Sequence, residues 1–192
     1  FQSDIARIYE NQLNLPEEAI NWYNGILEVV PSHSETLTAL ENLYTSIEHW
    51  RELIQVFELQ LNVIEAHDEK VTILNKMAAI YESEFESLKD AVSIFERILE
   101  IDSTNMKAIL NIERLLRQVG EWSKLIEVLQ KHIELTKEPD EIVALYLQIG
   151  EIYYKELGRV DKAEEIYNAA RDFDPNNADA LLALSQLYER SG

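Results

Sequence analysis

The chain has 192 residues, with 36 acidic side chains against 17 basic ones, so its formal charge is −19 and its pI is near 4.5. That charge sets it against nucleic-acid backbones and anionic membrane surfaces, both of which would repel it. It has no cysteine, which excludes disulfides, thiolate zinc sites and cysteine nucleophiles together. The length suffices for one sizeable core or one elongated stack without such staples. No apolar stretch reaches the ~18–20 residues of a membrane span. A chain that opens on Phe1, with neither Met nor a basic-then-apolar leader, reads as a fragment of a longer one.

Taken in order, the elements read as helices throughout, because apolar residues recur at three- and four-residue spacing. A short first helix carries Ile5, Ala6 and Tyr9, and a second carries Ala19, Tyr23 and Ile26 up to Pro31-Ser32. Leu37, Leu40 and Tyr44 mark the third, and Trp50, Leu53 and Phe57 the fourth. Leu74, Met77, Ala78 and Tyr81 precede Ala91, Phe95 and Ile98, with a break at Asp102-Ser103-Thr104. Ile109, Ile112 and Leu116 follow, then Trp122, Leu125, Ile126, Leu129 and Ile133 over 122–135, closed by Glu138-Pro139-Asp140. Over 141–157 the periodic residues are Ile142, Leu145, Ile149, Ile152 and Tyr153; Ala163, Tyr167 and Ala170 come next, and Asp174-Pro175-Asn176 leads into a last helix from Leu181. A Pro or an Asp/Ser/Thr cluster before a new apolar period is a helix stop followed by an N-cap. No alternating run is bounded by hairpin turn signals, so the predicted class is all-α.

The chain also repeats itself every 72 residues without a gap. Ile8-Tyr9-Glu10 falls on Ile80-Tyr81-Glu82, and Ile152-Tyr153 follows. Ala19, Ala91 and Ala163 coincide, as do Tyr23, Phe95 and Tyr167; Leu43, Leu115 and Leu187; and Trp50 with Trp122. Most matches are apolar or small, which marks packing positions. Four helices per repeat means two helix hairpins, and a lone hairpin buries only one face, so neighbours must stack into a solenoid. The expected organisation is a single solenoid over 1–192, with double repeats at about 1–72, 73–144 and a truncated 145–192. That gives five helix pairs plus a terminal helix, the first pair short of part of its first helix.

These residues resemble the tetratricopeptide repeat, whose helix–turn–helix unit runs Trp, Leu, Gly, Tyr on its first helix and Ala, aromatic, Ala, Pro on its second. The best match is Tyr146, Ile149, Gly150 and Tyr153, then Ala163, Tyr167, Ala170 and Pro175. Two departures stand out. The units at 74–103 and 146–175 carry one extra residue between Tyr and Ala, and the alternate half-repeats have Leu53 and Leu125 where the family prefers Ala. The resemblance implies a right-handed superhelix whose first helices line a concave groove for a peptide, a helix or a partner protein, with no catalysis and no cofactor.

Projected onto that groove, the candidate partner-binding residues are Arg7, Asn42, Asn75, Lys107, Arg114, Arg117, Glu151 and Tyr154. Arg114 and Arg117 sit three apart on one helix face in a locally basic stretch, 107–124, and could hold a carboxylate by charge-assisted bonds; the plainer alternative is pairing with glutamates on adjacent helices. The Lys/Asn pair with which one subclass clamps a terminal carboxylate has no counterpart at Ser3/Arg7, Thr38/Asn42, Asn75/Ala79 or Leu110/Arg114. The acidic turn with Glu82, Glu84, Glu86 and Asp90 could steer a basic segment or could simply keep the stack soluble. Carboxylates are too numerous for any pair to signal acid–base catalysis. His33, His49, His67 and His132 do not recur in register and form no metal-ligand motif, so no metal is expected. Trp50 and Trp122 read as packing residues, and Trp22, without a register counterpart, as the more exposed one. Two other functional readings stay open: end-to-end self-association through apolar ends around Phe1/Ile5 and Leu184/Tyr188, and a docking or spacer role within a larger enzyme.

Overall fold

The computed structural model describes residues 1–191, and these hold eleven α-helices and no strand. They are α1 (Gln2–Asn11), α2 (Pro16–Val29), α3 (Ser34–Ser46), α4 (Trp50–Val63), α5 (His67–Ser83), α6 (Leu88–Ile101), α7 (Met106–Val119), α8 (Trp122–Leu135), α9 (Pro139–Glu151), α10 (Val160–Phe173) and α11 (Ala178–Ser191). The chain divides into two compact units, Phe1–Ile101 and Asp102–Gly192. In the first, α1 pairs with α2, α3 with α4 and α5 with α6, and α2–α3 and α4–α5 contacts join successive hairpins. In the second, α7 pairs with α8 and α9 with α10, while α8–α9, α10–α11 and α9–α11 contacts extend the stack.

The repeat is written into the helix ends. The starts of α3, α7 and α11 lie 72 residues apart, and so do those of α4 and α8, α5 and α9, and α2, α6 and α10. The side chains of Asn105 and Asn177 accept hydrogen bonds from the backbone N–H groups of Ala108 and Ala180, at 3.0 and 3.1 Å, and His33 Nδ1 takes the matching role for Thr36 at 3.3 Å. Each satisfies an otherwise orphaned donor in the first turn of its helix. Pro16 and Pro139 open α2 and α9, where a missing N–H costs nothing.

The extra residue after the repeat tyrosine has a structural explanation. The carbonyls of Ile8, Ile80 and Ile152 accept from residues five positions on, Leu13, Phe85 and Leu157. Those of Tyr9, Tyr81 and Tyr153 accept from six positions on, Leu15, Ser87 and Arg159. Such a wide closure needs a left-handed residue, and Asn14 (φ 52°), Glu86 (φ 50°) and Gly158 (φ 63°) supply it at the same register position. Where the periodicity predicts one helix over 141–157, α9 gives way to a π-helical turn, Ile152–Glu156, ahead of that same closure.

Packing follows the small-residue stripe. Ala19, Ala91 and Ala163 are fully buried, as are Ala78 and Ala170, and Tyr23, Phe95 and Tyr167 are buried beside them. Gly150 marks a close approach of α9 and α10: a Cβ there would lie 2.3 Å from Tyr167 Cε1. Leu125 and Leu129, on the half-repeats that lack the small residue, are fully buried too, so larger side chains fill the interior there. Trp22, Trp50 and Trp122 are all half-buried, so Trp22 is no more exposed in kind than the two that recur in register.

Candidate functional site

A cavity of about 540 Å³ in the second unit is walled by α7, α8 and α9. Its floor is a polar pair. His132 from α8 is 4% exposed and Glu113 from α7 is 9% exposed, and His132 Nδ1 lies 2.8 Å from Glu113 Oε1. With the carboxylate ionised, Nδ1–H is the donor, and Nε2 then faces Glu141 Oε1 across 3.5 Å. Burial pushes the Glu113 carboxyl above the ordinary glutamate range, with a small addition from Glu141, while His132 and Arg117 pull it back. Arg114 and Arg117, both exposed, stand at the rim. Arg117 donates to the neutral side-chain carbonyl of Gln148 on α9 at 2.8 Å, and Arg114 to Asn111 Oδ1 on its own helix at 3.2 Å.

A cavity of about 370 Å³ occupies the matching place in the first unit, between α3, α4 and α5. Seven of its lining residues fall on the first by a shift of 72, among them Glu41 on Glu113, Gln60 on His132, Glu69 on Glu141 and Lys76 on Gln148. Its floor is built alike: Gln60 Nε2 donates to Glu41 Oε2 at 2.8 Å, and Lys76 Nζ to Glu41 Oε1 at 2.7 Å.

The structure gathers six of the eight sequence-derived candidates into pairs. Arg7 and Asn42 line a cavity of about 230 Å³ in the first unit, where Arg7 pairs with Glu35 at 3.1 Å and the Tyr23 hydroxyl donates to Glu10 at 2.8 Å. Burial, then that carboxylate, pushes the Tyr23 phenol up to about 12. Arg114 and Arg117 share the cavity floored by His132. Glu151 and Tyr154 line a third, of about 290 Å³, with Tyr167 and Gln186, and Glu151 also pairs with Lys155. Asn75 spends its amide on the Val71 carbonyl of its own helix at 2.7 Å, and Lys107 is exposed on α7 away from the cavity lining. Glu41, Gln60, Glu113 and Glu141 escaped the sequence reading, which considered His132 only as a metal ligand. Their signal was present: Glu41/Glu113 and Glu69/Glu141 are identical in register among matches that are otherwise mostly apolar.

Among the described residues no helix is long and apolar enough to cross a membrane, and no group of three or more His, Asp or Glu is placed to hold a metal ion. In sequence, the chain is 30% identical over 97 residues to the anaphase-promoting complex subunit 3 of Dictyostelium discoideum. The match takes in 50% of this chain but only 10% of that protein. In structure, it resembles a chain of the Naa15/Naa10 complex bound to HypK-THB, with a TM-score of 0.62 at 14% identity, over all of this chain and 29% of that one. It also resembles YrrB, described as a TPR protein with an unusual peptide-binding site, with a TM-score of 0.44 at 22% identity, over 95% and 89% of the two chains. Tetratricopeptide repeat models match residues 36–72 and 108–143, themselves 72 apart, and then 143–187. With an all-helical fold of stacked hairpins beneath those matches, the chain belongs to the tetratricopeptide repeat family.

Proposed function

We propose that this chain is a non-catalytic scaffold whose second unit binds an acidic segment of a partner protein in the groove of α7, α8 and α9. Arg114 and Arg117 are the anchors. The observation that carries the reading is the setting of Arg117, whose guanidinium rests on a neutral amide at the rim of a cavity of about 540 Å³. A partner carboxylate can replace that amide with a charge-assisted, bidentate contact. The groove walls are three packed helices, so little ordering is needed on binding and the entropic cost stays low.

The test is titration of the chain with a capped Glu-Leu-Glu-Leu-Glu-Leu peptide, with chemical shifts read on α7–α9. Reversing both arginines (Arg114→Glu with Arg117→Glu) should weaken binding by about 2 kcal/mol or more, roughly thirtyfold, while the melting temperature barely moves. A large loss of stability would show instead that the two arginines serve the fold.

A further inference from the structure

We infer that the first unit carries a second groove of opposite preference, on α3, α4 and α5, which takes a basic, leucine-flanked segment of a partner protein. The inference rests on the same view of the grooves as peptide sites, and adds a site and a charge that the second unit does not share.

The floor of this groove is rich in acceptors. Gln60 is 7% exposed, and its amide orientation is fixed because Nε2 must face the Glu41 carboxylate. That leaves Gln60 Oε1 buried with no hydrogen-bond partner, a state that buried polar groups rarely keep. Glu69 stands on the α5 wall, and its side chain makes no hydrogen bond or ion pair among the described residues. Val63 and Ile73 supply apolar wall for a neighbouring leucine.

Charge singles out a cation as the occupant. Residues 1–101 hold 19 acidic and six basic side chains, against 17 and 11 in 102–192, so the first unit carries the larger share of the negative charge. A field of that sign steers basic segments to it. Lys76 indicates where the cation sits: its ammonium already lies on Glu41 Oε1 while the side chain is half exposed at 49%. It occupies the place of the ligand's charge. The lysine end of the pair is open to solvent, so an incoming Lys or Arg can compete with it for the Glu41 carboxylate.

That arrangement gives two substitutions with effects of opposite sign. A capped Lys-Leu-Lys-Leu-Lys-Leu peptide is titrated into the 15N-labelled chain, and amide shifts and affinity are read for the wild type, Glu41→Gln and Lys76→Met. The shifts should fall on α3–α5. Glu41→Gln should weaken binding about tenfold by removing the charge while keeping a partner for Gln60, and Lys76→Met should strengthen it about threefold by removing the competitor. Shifts centred on other helices, absence of saturable binding, or two affinities that do not move in opposite directions would each overturn the inference. The glutamate–leucine peptide, read on α7–α9, reports on the second-unit groove independently, so either site can fail while the other stands.

Discussion

Substituting Gly150 by Ala sets helix propensity against packing, with opposite predicted signs. Gly150 lies inside α9, where propensity alone favours Ala by about 1 kcal/mol. An added Cβ, however, would lie 2.3 Å from Tyr167 Cε1, 2.5 Å from Cδ1 and 2.9 Å from Cζ, all well inside the 3.4 Å at which ordinary contact begins. The ring cannot swing away freely. Tyr167 is 6% exposed and clusters with Ala163, Leu184 and Leu187, against Leu147, Tyr153 and Tyr154, so its displacement spreads to α11. Overpacking of that kind costs about 1–3 kcal/mol. With the ring buried and the Cβ at 2.3 Å, the cost falls in the upper part of that range, about 2–3 kcal/mol, so after the propensity gain the net expectation for Gly150→Ala is a loss of about 1–2 kcal/mol, confined to the second unit. Hydrogen exchange reads this directly: α9 and α10 amides should exchange roughly 5–30 times faster, and those of residues 1–101 should keep their rates. Adding Tyr167→Leu should recover most of the loss, because the two positions are in contact. The register partner Ala78 is fully buried, so the α5–α6 pairing tolerates the very Cβ that α9–α10 refuses. Unchanged or slower exchange in Gly150→Ala would refute the packing argument and leave propensity as the deciding term.

Two further expectations follow from the turns and from the buried acid. Glu48 and Glu86 hold φ of 58° and 50°, where Gly120 and Gly158 stand one repeat later, so Glu48→Gly and Glu86→Gly should each raise stability in urea melts by about 0.5–1 kcal/mol, the left-handed penalty less the added chain entropy; a loss at either position would contradict this. Because burial raises the Glu113 carboxyl, the folded state binds its proton more tightly than the unfolded chain does, so the associated stability is fully present below the ordinary glutamate pKa and is lost as pH rises through the raised one. Glu113→Gln should flatten that part of the stability–pH profile measured by urea melts, and a profile unchanged from the wild type would refute the assignment.

The fold was legible because its determinants are repetitive and local. Caps such as Asn105 and Asn177, the alanines at 19, 91 and 163 and the aromatics beside them announce helix starts and close packing without reference to distant residues. The π-helical turn was not legible, since Ile152–Glu156 keeps the apolar spacing of an α-helix and ends in the same closure as Ile80–Glu84, which stays α-helical up to Ser83. The groove floors were hidden for a different reason. In a chain with 36 acidic residues a single Glu says nothing, and His132 matches Gln60, so a search for recurring histidines passes over the pair. What the two share is the capacity to donate to a carboxylate, a likeness of function that residue identity does not show.

The matched floors also separate what the repeat requires from what each groove adds. Glu41–Gln60 and Glu113–His132 join the two helices of a hairpin, α3 to α4 and α7 to α8, but an apolar pair of similar volume would hold those helices at least as well, because burying a carboxylate costs more than a neutral partner returns. Packing therefore does not account for an acid at both positions. Each carboxylate instead borders a cavity, with 19% of the Glu41 side chain and 12% of the Glu113 side chain still exposed. Around this shared floor the lining cations change walls: Lys76 on α5 bridges directly to Glu41, whereas Arg114 and Arg117 stand on α7, where Asn42 and Thr45 occupy the equivalent places. In the first groove the cation quenches the floor acid, and in the second it is held off that acid by His132 and a neutral amide. The same backbone thus presents a displaceable lysine over an acid in one unit and two rim guanidiniums in the other. On the proposed reading, selectivity resides in those few exposed positions and can diverge between repeats without disturbing the core that makes them alike.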